Sequence, residues 1–540
     1  MKRIKRFILI SISCIMISGC NLVSNKGANH IFTYAISEGW QTLDSSIAHD
    51  SASYTLIHTF MEGLYEYGRN SEGKLKPEKC LLKSLHASDD KKTYKIVLKK
   101  NIKWSNGENI TANDFVYAWK RALTLHTKDA IYMTSEGIHI KGADEIYNKG
   151  ADANILGVSA KNNQTLIVEM TNKIEKNILV DYFTLPVFYP LNQKYVESQG
   201  DAYGTSSNHI LTNGPYKIIS ISKEKAELVK WDNYYENNKV HLNNIKILFN
   251  EKNDDIVKKF DKAQIDLGIT YGPKLQKYKQ KATLTKMSSG IEWVLLPNFK
   301  SKSMQYVNMR KAVSFAINSD DLEKNKMCTA LLDGNDNVFD KPKGLVPNNI
   351  EYNSLSANIR DVSTAEKKYS KKIAKKIVNR YYKDNGINNL KLTIAYPAEY
   401  DIATLISTNL KEYLEAINGV KVNLVKYKEE EKEQYDLTLI RRQARANNGI
   451  LFVDMLASSA NISNYNNTDY DNIITNIKKS KSYDERFNLI VDAEVKAVNE
   501  DYAAIPVAQQ SYAILSRMDA NNLDFIPFGV PINFKHVTLN

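Results

Sequence analysis

Residues Glu62–Arg121 read EGLYEYGRNSEGKLKPEKCLLKSLHASDDKKTYKIVLKKNIKWSNGENITANDFVYAWKR. Within this stretch Thr93–Leu98 alternates, predicting a strand with Tyr94, Ile96 and Leu98 on one face. Asn106-Gly107 is a turn signal. Thr111 then opens a helix as N-cap, with Asp114 three residues on in capping-box position. On that helix Phe115, Trp119 and Ala122 share an inward face, while Tyr117 points the other way and reads locally as a surface residue. A strand, a tight turn and a capped helix in one short run predict a mixed α/β protein.

The same alternation continues outward. Asn213-Gly214-Pro215 is a turn ahead of a strand at Tyr216–Ile221, and Val307–Leu322 carries a helix that buries Ala312, Phe315 and Ala316. Glu366–Lys383 is lysine-rich, yet Tyr369, Ile373, Ile377 and Tyr381 recur every four residues, predicting an amphipathic helix stopped by Asn385-Gly386. Its lysines read as a solvated face rather than a nucleic-acid site. Two further helices are predicted at Tyr470–Ser480 and Asp484–Glu500.

The chain of 540 residues is 43% hydrophobic and 25% charged, which excludes disorder and a polytopic membrane protein. It carries 32 tyrosines against 16 phenylalanines, and rings with a polar tip suit a binding surface that stays wet. Met1–Cys20 reads MKRIKRFILISISCIMISGC, with four basic residues before a short apolar stretch. This is the pattern of a secretory signal, too short to span a bilayer of ~30 Å. Ile17-Ser18-Gly19-Cys20 resembles the lipobox of bacterial lipoproteins, implying acylation of Cys20 and cleavage before it. The expected result is a signal at 1–19, a tether at 20–30, and a body held on the extracellular face of the cell membrane. As the four basic residues leave, the net charge falls from +12 to +8. Cys80 and Cys328 remain, and the sequence leaves their pairing open.

Chemistry of catalysis is missing from the motifs. There is no H-E-x-x-H or H-x-x-E-H helix, no G-x-S-x-G elbow, no P-loop and no G-x-G-x-x-G. S-x-x-K occurs at Ser71, Ser88 and Ser222 without its K-T-G or S-D-N partners, as chance supplies in a lysine-rich chain.

The Glu62–Arg121 stretch resembles the peptide-binding lipoproteins of ABC importers, extracellular solute-binding proteins of the oligopeptide and dipeptide group. It follows their order of "EGL", "K-x-Y-x-F-x-L-R" strand, "W-S-N/D-G" turn and "T-A-x-D-F-V-Y-S-W" helix. Further blocks keep that order: Thr42-Leu43-Asp44, Asn213–Lys217, Trp231–Tyr235, Met309–Leu322, Gly344–Pro347, Tyr470–Ile474 and Arg486–Asp501. The resemblance implies a three-lobed α/β fold of the periplasmic-binding-protein type, with two lobes joined by crossover strands around a ligand cleft. By it, lobe I is 31–64 with 190–287 and 512–540, an inserted lobe II is 65–189, and lobe III is 288–511. It implies a monomer without cofactor or enzymatic activity. Its partners are a peptide, an ABC permease and, through Cys20, the lipid bilayer, with nucleic acid excluded. A dedicated peptide-pheromone receptor, or an adhesin that kept the fold and lost uptake, are the alternative roles. By position, Glu38 and Tyr117 fall at cleft positions of the family, reversing the local reading of Tyr117; Tyr271, Trp293, Asn461 and Gln510 map there in looser alignment.

One run departs from the family. Typical members carry "D-L-x-L-x-G-W-x-A-D-Y-x-D-P", whose Trp lines the cleft and whose later Asp pairs with the peptide's α-ammonium. Asp436–Asn447 keeps the register, with Arg441 in place of the Gly, Arg442 of the Trp and Arg445 of the amine-binding Asp. Two readings stay open. Either the ligand is anionic, N-blocked or otherwise not held by a free amine, with an arginine fork recognising an anion. Or Arg445 pairs with a nearby acid such as Glu38, or faces solvent, and ordinary peptides bind through other contacts.

Overall fold

The computed structural model describes residues 30–69, 75–270, 273–278, 283–319, 339–348, 350, 357–427, 435–460, 462–480 and 482–539. The signal, Cys20, Tyr271, Cys328 and Asn461 lie outside these residues.

In the Glu62–Arg121 stretch each local pattern has the physical basis the sequence suggests. Thr93–Leu98 is a strand that buries Tyr94, Ile96 and Leu98. The Asn106-Gly107 turn is closed by Gly107 N–H donating to Trp104 O at 2.9 Å, with Gly107 at φ +90°. The following helix is Ala112–Thr124, where Asp114 accepts from the Thr111 N–H at 2.6 Å and the Thr111 hydroxyl at 2.9 Å. Phe115, Trp119 and Ala122 are fully buried, and Trp119 Nε1–H donates to Phe188 O.

Strand Thr93–Leu98 belongs to a four-stranded antiparallel sheet with Leu82–Ala87, Thr165–Glu169 and Val158–Asn162. The main sheet of eleven strands runs from Val420–Tyr427 through Leu390–Pro397 and Leu437–Gln443 to two long strands, Leu284–Pro297 and Ile505–Ser516. It continues through Leu267–Thr270, Ile31–Ala35, Asn244–Leu248 and Lys225–Lys230 to Tyr216–Ile221, with Phe339–Asp340 added on Ile505–Ser516. Both long strands therefore cross from one half of the molecule to the other. Their pairing shifts register between Ser288 and Ile291. Gly290 sits at this bulge with φ +63°, where a Cβ would collide with the Pro527 carbonyl oxygen.

Apolar packing divides along the same line. One core joins residues of the N-terminal segment, the four-stranded sheet and the C-terminal segment, including Phe32, Tyr94, Trp119 and Phe534. Two others cover the faces of the far half of the sheet, around Trp293, Ile394 and Leu439 on one side and Val294, Phe452 and Phe487 on the other.

Within the first core the chain end is held by charge. Lys535 Nζ lies 2.8 Å from Glu62, 2.9 Å from Glu66 and 3.0 Å from Glu236, and the Lys535 side chain is 2% exposed. Three carboxylates thus account for the three ammonium protons. Tyr234 and Tyr235 donate their hydroxyls to Glu62, and Asn213 accepts from the Glu62 N–H and donates to its carbonyl. Burial alone would raise the Glu66 carboxyl, but the Lys535 ammonium draws it down to about 2. Burial pushes His58, alongside, down to about 4, so it is neutral at pH 7. Cys80 beside them is a buried free thiol.

Several predicted helices differ in extent. Val307–Ala316 ends earlier than expected, where Lys367 Nζ donates to the carbonyl oxygen of Ile317; 320–338 lies outside the described residues. The lysine-rich helix is Lys371–Asn385, capped by Ser370 and ended by Gly386 at φ +62°. Its buried positions are Ala374, Val378, Tyr381 and Tyr382, so the expected seam is rotated and Tyr369 and Ile373 are 48% and 42% exposed. The last two are Thr468–Lys479 and Tyr483–Val495, the second extended by one wider turn over Lys496–Glu500.

Candidate ligand cleft

Between the halves lies a cleft of about 1150 Å³. One wall comes from the loop after the first strand (Ser37–Gly39), the start of helix Ser51–Phe60 and the Asn250–Asp254 turn. The other comes from Tyr400–Leu405, the end of strand Leu437–Gln443 and Leu451–Phe452, with Gln510 and Tyr512 from the crossover strand between them. Its walls mix both signs of charge, with Glu38, Asp50, Glu251 and Glu399 among the acids and Lys128, Lys252, Arg441, Arg442 and Arg445 among the bases.

Of the residues expected at the site, Glu38, Arg441, Arg442, Arg445 and Gln510 line this cleft. Trp293 does not: it is fully buried beneath the wall, and its Nε1–H donates to Gln510 Oε1 at 3.0 Å. With that oxygen engaged, the N–H₂ remains as the donor end of the Gln510 side chain. Tyr117 is likewise absent from the wall. It is half-buried and packs on the first core beside the Arg121–Asp44 ion pair of 2.8 Å, so neither a free surface nor a cleft describes it. The cause is the inward pull of Phe115 and Trp119, which sets the helix's rotation against its own lobe. Tyr271 and Asn461 are outside the described residues.

The three arginines have different surroundings. Arg441 stacks over the Tyr400 ring at 4.9 Å, bonds the Tyr512 hydroxyl, and stands 3.9 Å from Glu38. Burial pushes the Glu38 carboxyl up, with Arg441 opposing. Arg442 donates to Leu451 O at 3.1 Å and faces Asp454. Arg445 does not pair with Glu38. Its Nη1 lies 3.0 Å from Asp129 Oδ1, on the opposite side of the cleft, and Asp129 is 1% exposed. The cation that stands where the family has an acid is thus met by an acid from the facing lobe.

That ion pair belongs to a clasp across the cleft that the sequence did not reveal. Asn447 Nδ2 donates to Asp181 at 3.3 Å, and Asn448 Nδ2 donates to Glu136 O at 3.0 Å and Tyr182 Oη at 2.7 Å. Asn448 Oδ1 accepts from Ile450 N–H and from Arg486, which fixes the loop after Arg445. Lys478 Nζ is 2.6 Å from Glu136, and Asn172 donates to Ser480 O at 3.1 Å. Residues 129–182 and 445–480 are far apart in sequence, and no local periodicity signals such pairs.

Asp454 completes the clasp. Burial first, and Glu136 beside it second, push its carboxyl up to about 7, while Arg442 and Lys478 pull the other way. A protonated Asp454 satisfies Glu136 Oε2, a buried oxygen with no other hydrogen-bond partner. A carboxyl whose value is raised in the closed form favours closure below its ordinary value, and that contribution is lost as pH rises through about 7. Ligand affinity is expected to fall as pH rises from the ordinary carboxyl value of 3.8 to about 7, by up to about tenfold per pH unit since one unit is worth about 1.4 kcal/mol, and to level off above 7. Titration calorimetry of wild type and Asp454→Asn checks this, and the variant should show a flat profile.

Comparison with known proteins gives these features a context. The model for bacterial extracellular solute-binding proteins, family 5, matches residues 76–464. The oligopeptide-binding protein OppA of Bacillus subtilis is 30% identical over 295 residues, 53% of this chain and 52% of that protein. The dipeptide-binding protein DppE of the same organism is 24% identical over 474 residues, 85% of this chain and 83% of that one. The solved substrate-binding domain of an oligopeptide ABC transporter from Bacillus anthracis superposes with a TM-score of 0.78 at 23% identity, covering 94% of this chain and 98% of that one. That likeness confirms the fold: an α/β protein of the periplasmic-binding type, in which crossover strands join two lobes around the cleft and a smaller unit is inserted. With the family model covering most of its length, this chain belongs to the family 5 bacterial extracellular solute-binding proteins.

Proposed function

We propose that this protein is an extracellular, lipid-anchored receptor that captures oligopeptides by cleft closure and delivers them to an ABC permease. The observation that carries the reading is the interlobe cleft of about 1150 Å³, above the roughly 300–1,000 Å³ of pockets that take drug-sized ligands. An adhesin that had lost uptake would have the space filled by its arginines; here Arg441, Arg442 and Arg445 hold to the walls by named partners. In this reading Cys20 carries the anchor, the protein acts as a monomer without catalysis, and the lobes are 31–64 with 190–287 and 512–540, then 65–189, then 288–511. The register shift at Gly290 is the hinge, because a glycine at positive φ lets the crossover strand swivel. Native mass spectrometry of protein purified from its own host is expected to show peptide masses released on denaturation. Protein that carries no ligand and binds no member of a peptide library would overturn the proposal.

Asp129 cancels the charge of Arg445, so a cationic ligand end meets no net repulsion there. We therefore expect ordinary peptides, held by their main chain rather than through one ion pair at the amine. Titration with one peptide in free and N-acetylated form should give affinities within about threefold. A hundredfold preference for the free amine, roughly 2.7 kcal/mol, would sink this arrangement.

A further inference from the structure

Helix Lys371–Asn385 lies away from the cleft and has two unusual features together. From Glu366 to Gly386 the chain has eight basic residues and two acidic ones. Lys372, Lys376, Arg380 and Lys383 recur at helical spacing and all are exposed, forming one ridge. Arg380 has Asp384 at 3.5 Å; among the described residues Lys372, Lys376 and Lys383 make no ion pair. The other acid, Glu366, is held by Lys341 at 2.9 Å.

Beside the ridge, Tyr369 and Ile373 are 48% and 42% exposed. They are the seam residues that the helix, rotated to bury Ala374 and Val378, leaves outside the core. A solvated lysine face needs no such neighbours. An isoleucine and a tyrosine flanked by unpaired cations have the composition of a helix that lies on a charged interface, apolar groups in the headgroup boundary and cations on the phosphates.

We propose that this face rests on an anionic phospholipid surface. Charge complementarity selects that occupant: Lys372, Lys376 and Lys383 have no ion-pair partner among the described residues, and they stand next to side chains small enough in number for shallow insertion. The contact would fix the orientation of the body above the membrane, where a tether alone leaves it to tumble. It depends on the export reading only for bringing a bilayer within reach, and the assay below needs neither anchor nor peptide.

The test uses the mature chain with Cys20→Ser, so that no acyl group contributes, and vesicles of phosphatidylcholine with and without phosphatidylglycerol. Co-sedimentation is expected with the anionic vesicles alone and is expected to disappear at high salt. Lys372→Gln with Lys376→Gln should lower partitioning about 25-fold, at roughly fivefold per cation, and Ile373→Ser several-fold. Peptide affinity should be unchanged in both variants, which shows that they remain folded. Equal partitioning to neutral vesicles, or indifference to the lysine changes, overturns the proposal. So does binding only to vesicles that hold the permease, which would assign the ridge to that protein instead.

Discussion

Replacing Lys535 by methionine is expected to destabilise the protein by about 3–5 kcal/mol, the usual cost of removing one partner from a buried ion pair. The ammonium serves Glu62, Glu66 and Glu236 at once, and Glu62 and Glu66 are 1% and 5% exposed. Without it Glu62 would stand in a low-dielectric core with the hydroxyls of Tyr234 and Tyr235, and Glu66 with the Asn533 amide and neutral His58, none of which carries a compensating charge. Denaturant unfolding followed by tryptophan fluorescence measures the loss. The pH dependence identifies the cause. In the wild type Glu66 is drawn down to about 2, so its contribution is present above the ordinary carboxylate value of 4.5 and is lost as pH falls toward 2. In the variant the carboxylates favour protons, and the destabilisation should shrink as pH is lowered from 7.5 to 5. A pH-independent loss would mean that Lys535 acts by packing alone.

Arg445→Met is expected to weaken peptide affinity by about ten- to a hundredfold, 1.4–2.8 kcal/mol. The variant leaves Asp129 buried with neither oxygen paired, since Oδ2 already lacks a partner. Burial already pushes that carboxyl up, and Arg445 is what opposes it. The pair spans the cleft, so the loss falls on the closed form and appears in the dissociation rate. Arg445→Met combined with Asp129→Asn should recover most of the affinity, because the unpaired charge is gone. Equal affinity in the single variant and the wild type would refute a role for this pair in closure.

How legible each part was follows from the range of the interactions that determine it. Thr93–Leu98, the Asn106-Gly107 turn and the Thr111 cap are set by neighbours within a few residues, and the structure has them where the pattern places them. Helix Lys371–Asn385 was legible as a helix, but not in its rotation. Its Tyr369–Tyr381 seam and its Ala374–Tyr382 face are both apolar, and packing against the helix Val307–Ala316 chose the second. The same limit applies to Tyr117, whose position along the helix was clear and whose surroundings were not.

At the cleft, the sequence by itself determined that three arginines stand together after strand Leu437–Gln443, and that they depart from the pattern the rest of the chain follows. Only the tertiary structure decided what they do. Arg445 reads as a repulsive cation until Asp129, more than three hundred residues earlier, is brought to 3.0 Å across the cleft. Coulomb energy depends on separation in space and on the surrounding dielectric, and a sequence states neither.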